Sequence, residues 1–176
     1  MQRRKLFCLF IGIALVNTTG CSWAARRTIR EAKGASAEIT IVNMPTGDFR
    51  NMGGVQAASP RSRLGSLLPG EFAATFPSAC RKFLVEADDA PLKGGGAPLG
   101  IDSEVMWYHK RKGFGVVTGE KSYAVMLLDL SSGGRQLGRL QIVATSGASR
   151  TDAADMAEAM AEALAKWIDD RGGKSD

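Results

Sequence analysis

The sequence predicts an α/β domain, a mainly antiparallel sheet of about four strands with two helices packed on one face, preceded by a cleaved signal peptide. Three observations predict it. Residues 122–130 and 137–145 read as two strands around a tight turn. Residues 152–170 follow with an amphipathic helical pattern. The first 20 residues put a positive head and an apolar run in front of everything else.

That N-terminal stretch reads MQRRKLFCLFIGIALVNTTGC up to Cys21. Arg3, Arg4 and Lys5 form the head, and the apolar run from Leu6 to Val16 is too short to span a bilayer but right for the middle of a secretory signal. Asn17, Thr18 and Thr19 lead into Gly20-Cys21. A small residue directly before a cysteine, just after an export signal, resembles the lipobox of bacterial lipoproteins. The resemblance implies a diacylglycerol on the Cys21 sulfur, cleavage before it, and acylation of the new amine. It also implies that Ser22 sorts the protein, since in enteric-type bacteria Asp at that place holds a lipoprotein in the inner membrane. Ser22 thus points to the periplasmic face of the outer membrane, with the inner membrane as the alternative. The family usually has Leu, Val or Ala three residues before the Cys, where this chain has Thr18. From the residues alone, a plain signal cut near Ala24-Ala25 and an N-terminal anchor that is never cut both stay open.

Four segments follow from this reading: a signal peptide at 1–20, a lipidated basic tether at 21–36, a single α/β domain at 37–172 and a tail at 173–176. The cut leaves 156 of the 176 residues, one domain's worth. Arg3, Arg4 and Lys5 supply three of the five net positive charges, so +2 remains and no nucleic-acid partner is expected. Cys8 leaves with the signal and Cys21 carries lipid, which leaves Cys80 alone and excludes an internal disulfide. The tether holds Arg26, Arg27, Arg30 and Lys33. These are solvated charge on a flexible segment, and also candidate contacts to anionic head groups, at about 1 kcal/mol per charge close to the surface.

Residues 37–42 (AEITIV) alternate and predict the first strand, with Ile39 and Ile41 on one side. Residues 43–60 are rich in Gly, Asn, Ser and Pro and predict one long loop. Within 61–87, Leu68, Phe72, Phe76, Cys80 and Phe83-Leu84 recur at helical spacing. Pro69 suits a first turn, and Pro77 is expected to kink or split the helix. Cys80 falls on the apolar face and reads as a packed core thiol. Residues 88–100 predict a loop whose Gly94-Gly95-Gly96 is a flexible turn rather than a phosphate cradle, because no Lys-Ser/Thr follows. Residues 105–110 (VMWYHK) predict a strand. Gly113-Phe114-Gly115 lacks the following helix that a dinucleotide site needs.

Residues 123–130 (YAVMLLDL) are nearly all apolar, as in a central strand covered on at least one face. After the SSGG turn, Leu140, Ile142 and Ala144 alternate with Arg139, Gln141 and Val143, so the pair closes as an antiparallel hairpin. Thr151 or Asp152 caps the last helix. Met156, Met160, Leu164 and Trp167-Ile168 form its buried stripe, and Gly172-Gly173 ends it.

Catalysis would need a constellation that this chain does not spell. Its one histidine, His109, sits in a strand pattern beside Tyr108. There is no Gly-x-Ser-x-Gly elbow and no His/Cys spacing suited to a metal. Asp88-Asp89 and Asp169-Asp170 are neighbours whose side chains diverge, unlike an acid/base pair. No enzyme, metal or cofactor is expected.

The layout from Gly113 to Ile168 resembles an uncharacterised family of bacterial lipoproteins. The residues that carry it are Gly113-Phe114-Gly115, the apolar strand from Val125 to Asp129, the Gly133-Gly134 turn, the return strand from Leu137 to Ala144, and the closing helix from Asp152 to Asp170. The topology is also similar to the N-terminal domain of TolB and to peptidoglycan-synthase activator lipoproteins. These resemblances imply an adaptor or assembly factor that works by binding. It would meet the membrane through its lipid and an envelope protein through its sheet edge or loops. The alternative is a lipid- or small-ligand-binding auxiliary lipoprotein of an envelope ABC transporter, with the apolar helix faces and the 43–60 loop framing a pocket. Neither reading specifies an oligomeric state.

Overall fold

A computed structural model of the chain describes residues 35–63, 68–110, 121–146 and 153–172. The signal at 1–20, Cys21, Ser22, Arg26, Arg27, Arg30, Lys33, Gly113-Phe114-Gly115 and the expected cap at Thr151 or Asp152 lie outside the described residues. Six strands form one sheet: β1 (Ala35–Asn43), β2 (Val55–Ala57), β3 (Arg61–Ser62), β4 (Leu99–His109), β5 (Tyr123–Ser132) and β6 (Arg135–Ser146). Their order is β1-β6-β5-β4-β2, with β3 also on β4. The pairs among β1, β6, β5 and β4 are antiparallel, and β2 and β3 run parallel to β4.

The β5–β6 hairpin sits where its turn chemistry places it. Gly133 and Gly134 have φ of 56° and 78°, the left-handed values a two-residue hairpin loop requires. Register then sets one face inward. Met126 lies between Ile142 and Val105, Leu128 between Leu140 and Ser103, and Ala124 beside Ala144. Ala37 and Ile39 of β1 continue that face opposite Ala144 and Ile142.

The sheet has six strands rather than the expected four, because β2 and β3 come from stretches with no readable period. Three and two residues are too few to show alternation, and only pairing with β4 makes them strands. The 43–60 segment is therefore not one loop. It also holds a 3-10 turn, Phe49–Asn51, that buries Phe49. β1 starts at Ala35, two residues inside the expected tether, since Ala35 already pairs with Ser146.

β4 begins six residues before the expected strand. Its inward positions are Leu99, Ile101, Ser103 and Val105, and a serine in the core series weakens the apolar alternation. A register shift between Val105 and Trp107 then re-aims the strand, so that Tyr108 joins the core and Trp107 turns outward. Ser103 is buried to 1% exposure, and its hydroxyl has no hydrogen-bond partner. Removing an unpaired buried hydroxyl relieves its desolvation cost, so Ser103→Ala is expected to raise stability by about 1 kcal/mol. A rise in the urea midpoint at unchanged slope is the check, and a fall would mean that the hydroxyl is satisfied.

Helix α1 spans Gly70–Arg81 and α2 spans Ala153–Gly172. Pro69 is the N-cap residue rather than part of the first turn. Pro77 does not split α1, which runs unbroken from Gly70 to Arg81 with the proline half-buried inside it. The Ser78 hydroxyl donates to the Thr75 carbonyl at 2.8 Å. Directly after α1, Lys82–Glu86 widen into a π turn closed by Ala87 N–H on the Lys82 carbonyl at 2.9 Å. Phe72, Phe76, Ala79 and Cys80 of α1 share one buried cluster with Met156, Met160, Leu164 and Ile168 of α2 and the inward sheet residues. Phe72 meets Tyr108 edge-on at 6.2 Å, and Trp167 meets Phe49 edge-on at 5.9 Å.

Gly94-Gly95-Gly96 is a backbone crossing and not a flexible turn. Gly94 N–H donates to the Met52 carbonyl at 2.9 Å, and Gly96 N–H donates to the Asn51 carbonyl at 2.7 Å. The two backbones touch with no room for a side chain. A Cβ on Gly94 would lie 2.5 Å from the carbonyl oxygens of both Arg50 and Asn51. Both amides are thus occupied, which removes the phosphate-cradle alternative on physical grounds.

Candidate functional site: an open sheet face and a free edge

No described element covers the sheet face opposite the helices. Alternation on β5 sends Tyr123, Val125, Leu127 and Asp129 outward. Their partners are His109, Trp107, Glu104 and Asp102 on β4, and Thr145, Val143, Gln141 and Arg139 on β6. Trp107 is 52% exposed and Tyr123 37% exposed, while Val125, Leu127 and Val143 are half-buried. His109 stacks on Tyr123 at 5.3 Å between ring centroids. An aromatic and aliphatic patch therefore occupies the end of this face near the β4 C-terminus.

The other end is charged. Arg139 grips Asp129 with two parallel bonds, Nε to Oδ1 at 2.7 Å and Nη2 to Oδ2 at 2.8 Å. The bonded carboxylate holds the guanidinium pKa above its ordinary value. Arg61 and Asp102 pair at 2.8 Å, both well exposed, so this pair contributes little to stability.

The β1 side of the sheet differs from the β4 side. β2 and β3 cover the outer edge of β4, but no described strand covers the outer edge of β1. Ile41, Val42 and Met44 at and beyond its end are 37%, 49% and 61% exposed. Between β1 and α2 runs an open groove of about 370 Å³, lined on one wall by Ala35, Ala37 and Ile39 and on the other by Ala159, Glu162, Ala163, Lys166 and Trp167. A second open groove, of about 780 Å³, lies between residues 55–59 and the Ala74–Arg81 side of α1.

Cys80 has no exposed surface, and burial pushes its thiol up to about 12. It is neutral at pH 7 and closed to reagents, so it offers no nucleophile. Among the described residues, no three His, Cys, Asp or Glu side chains gather as a metal site would need. Asp88 and Asp89 are exposed neighbours, as are Asp169 and Asp170. No described helix is long and apolar enough to cross a membrane. Trp107 and Tyr123 were visible in the sequence only as strand formers. The face that Trp107 takes depends on the Val105/Trp107 bulge, which brings it beside Tyr123.

No protein-family model matches the chain, and no curated protein matches it. Among solved structures, it is similar to dodecameric PelC from Paraburkholderia phytofirmans, as a point variant and in a second crystal form. Both are 12% identical and cover 74% of this chain and 95% of that chain, with TM-scores of 0.49 and 0.47. A Xanthomonas campestris protein of the DUF330 family model is similar at 15% identity and a TM-score of 0.38, over 76% of this chain and 90% of that one.

Proposed function

We propose that this chain is a lipid-anchored, periplasm-facing envelope protein that acts by binding rather than catalysis, as an adaptor whose open sheet face receives a protein partner. The observation that carries it is the exposed Trp107 with Tyr123, Val125, Leu127 and Val143 around it, an apolar patch on the side of the sheet away from the helices. Large aromatics left in water on a flat surface are the residue types on which protein interfaces concentrate their binding energy. The tether length suits such a role. Thirteen residues lie between Cys21 and Ala35, a reach of at most about 50 Å when extended, at roughly 3.5 Å per residue step. The domain thus works within one protein diameter of the bilayer, on the outer membrane if Ser22 sorts as expected, otherwise on the inner.

A photo-crosslinker placed at Val125 in intact cells, followed by mass spectrometry of proteins and lipids, tests this reading. One enriched envelope protein is expected, and Trp107→Ala should cut its recovery about thirtyfold, the effect of roughly 2 kcal/mol at an interface centre. Recovery unchanged by Trp107→Ala would overturn the site. The carrier reading has one supporting observation, the groove beside residues 55–59. The helix stripes it would also need, at Phe72, Phe76, Met156 and Met160, are packed into the core. Stoichiometric phospholipid with no protein partner would replace the adaptor by the carrier.

A further inference from the structure

Among the described residues, no strand pairs with the outer edge of β1. Natural sheets blunt an open edge with Lys, Pro, a short strand or a covering element. The nine residues of β1, ASAEITIVN, contain no Lys and no Pro and carry a single charge, Glu38. The opposite edge of the same sheet is covered by β2 and β3. On the inner side, the edge opens into the groove whose helical wall carries the small residues Ala159 and Ala163.

We infer that β1 and the flank of α2 form a two-fold interface with a second copy of this chain, β1 pairing antiparallel with β1 so that two sheets become one. Direction, spacing and charge all fit a second copy. Arg171 Nη2 reaches the Met44 sulfur at 2.9 Å beyond the end of β1, while Ala159 shares the groove with Ala35 and Ala37 nearer its start. α2 therefore runs along β1, and a two-fold axis that sets β1 against β1 also sets α2 antiparallel to α2. α2 touches both β1 and β6. A helix centred over that pair lies about 2.4 Å inward of β1 for strands spaced roughly 4.8 Å apart. Its two-fold mate then lies about 9.6 Å away, within the roughly 8–10 Å at which helices pack. Ala159 and Ala163 leave room for that approach. Glu162 and Lys166 flank them, and an axis midway between the two residues brings each onto its opposite on the mate. A foreign strand added to β1 would satisfy the backbone edge but leave this helix flank without a partner surface.

The test uses the full-length protein extracted in detergent, with its mass measured by sedimentation across a concentration series. A dimer is expected, and Ala163→Glu should raise its dissociation constant at least tenfold while the melting temperature of the domain stays within a few degrees. Glu162→Lys alone and Lys166→Glu alone should each weaken the dimer, and the two together should restore it. In cells, Ala163→Cys should give a disulfide-linked dimer with mild oxidant, because Ala163 lies near the axis. Trp107→Ala should leave the dimer intact, which separates this surface from the open face. A monomer at every concentration would overturn the inference. So would a dimer indifferent to Ala163→Glu and to the charge swap, or a β1 edge found crosslinked to a different protein.

Discussion

Cys21→Ala is expected to abolish acyl labelling altogether and to leave an unprocessed precursor. The effect should be all-or-none because the proposed thioether needs the sulfur, and such an anchor would supply nearly all of the membrane affinity. A buried acyl chain contributes about 0.8 kcal/mol per methylene, and a single myristoyl chain gives only marginal binding. Three chains on the proposed anchor residue would therefore separate attached from free without intermediate states. No other thiol of the folded body can stand in. Cys80 is fully buried against Phe72 and Phe76 in the core cluster, and its thiol is held at about 12, far from the thiolate form that acylation uses. The measurement is palmitate labelling of the wild-type and Cys21→Ala proteins, with fractionation of the membranes. Label retained by Cys21→Ala would show that the lipobox resemblance misleads.

The parts of the fold legible in the sequence were those whose cause is local. Gly133-Gly134 allows one kind of turn, and the strands on each side alternate, so the β5–β6 hairpin was readable to within a few residues. The Met156, Met160, Leu164 and Ile168 stripe of α2 needs only helical spacing and a sheet to lie on. What the sequence hid had a distant cause. β2 and β3 exist because β4 is there to pair with, and the first half of β4 was hidden because Ser103 takes a core position that apolar patterning assigns to a hydrophobe. Pro77 argued for a break that α1, continuous from Gly70 to Arg81, does not show.

The candidate surfaces show the same division. Trp107 and Tyr123 could be read as residues of strands, but their common face depends on a bulge whose origin is the β4–β5 register. That β1 lies at the end of the sheet is a property of strand order, which no local pattern encodes. Patterning states which side chains are buried within an element. It is silent on which element lies at the end of the sheet, and the β1 edge arises from that second property.

Gly94→Ala should destabilise the domain by about 3 kcal/mol, the upper range for forcing atoms into filled space, and lower its melting temperature by roughly 10 °C. The added methyl meets backbone and not a flexible side-chain end, since the carbonyl oxygens of Arg50 and Asn51 stand 2.5 Å from where it would sit. Those carbonyls cannot retreat independently. Residues 49–51 form a short turn held by Asp48, whose side chain accepts from Arg50 N–H at 3.1 Å, and Phe49 and Met52 on either side are buried in the core. Moving the turn would break the Gly94 to Met52 and Gly96 to Asn51 bonds together and loosen Phe49 from Trp167. Gly95→Ala is the matched control, because nothing lies within 4 Å of its Cβ position. It should be near neutral, within roughly 0.5 kcal/mol. Urea unfolding of the two variants decides the point. Equal and small losses would mean that the triplet is the flexible turn its composition suggests, whereas a large loss confined to Gly94→Ala would establish that the glycines are required by the close crossing of two backbones.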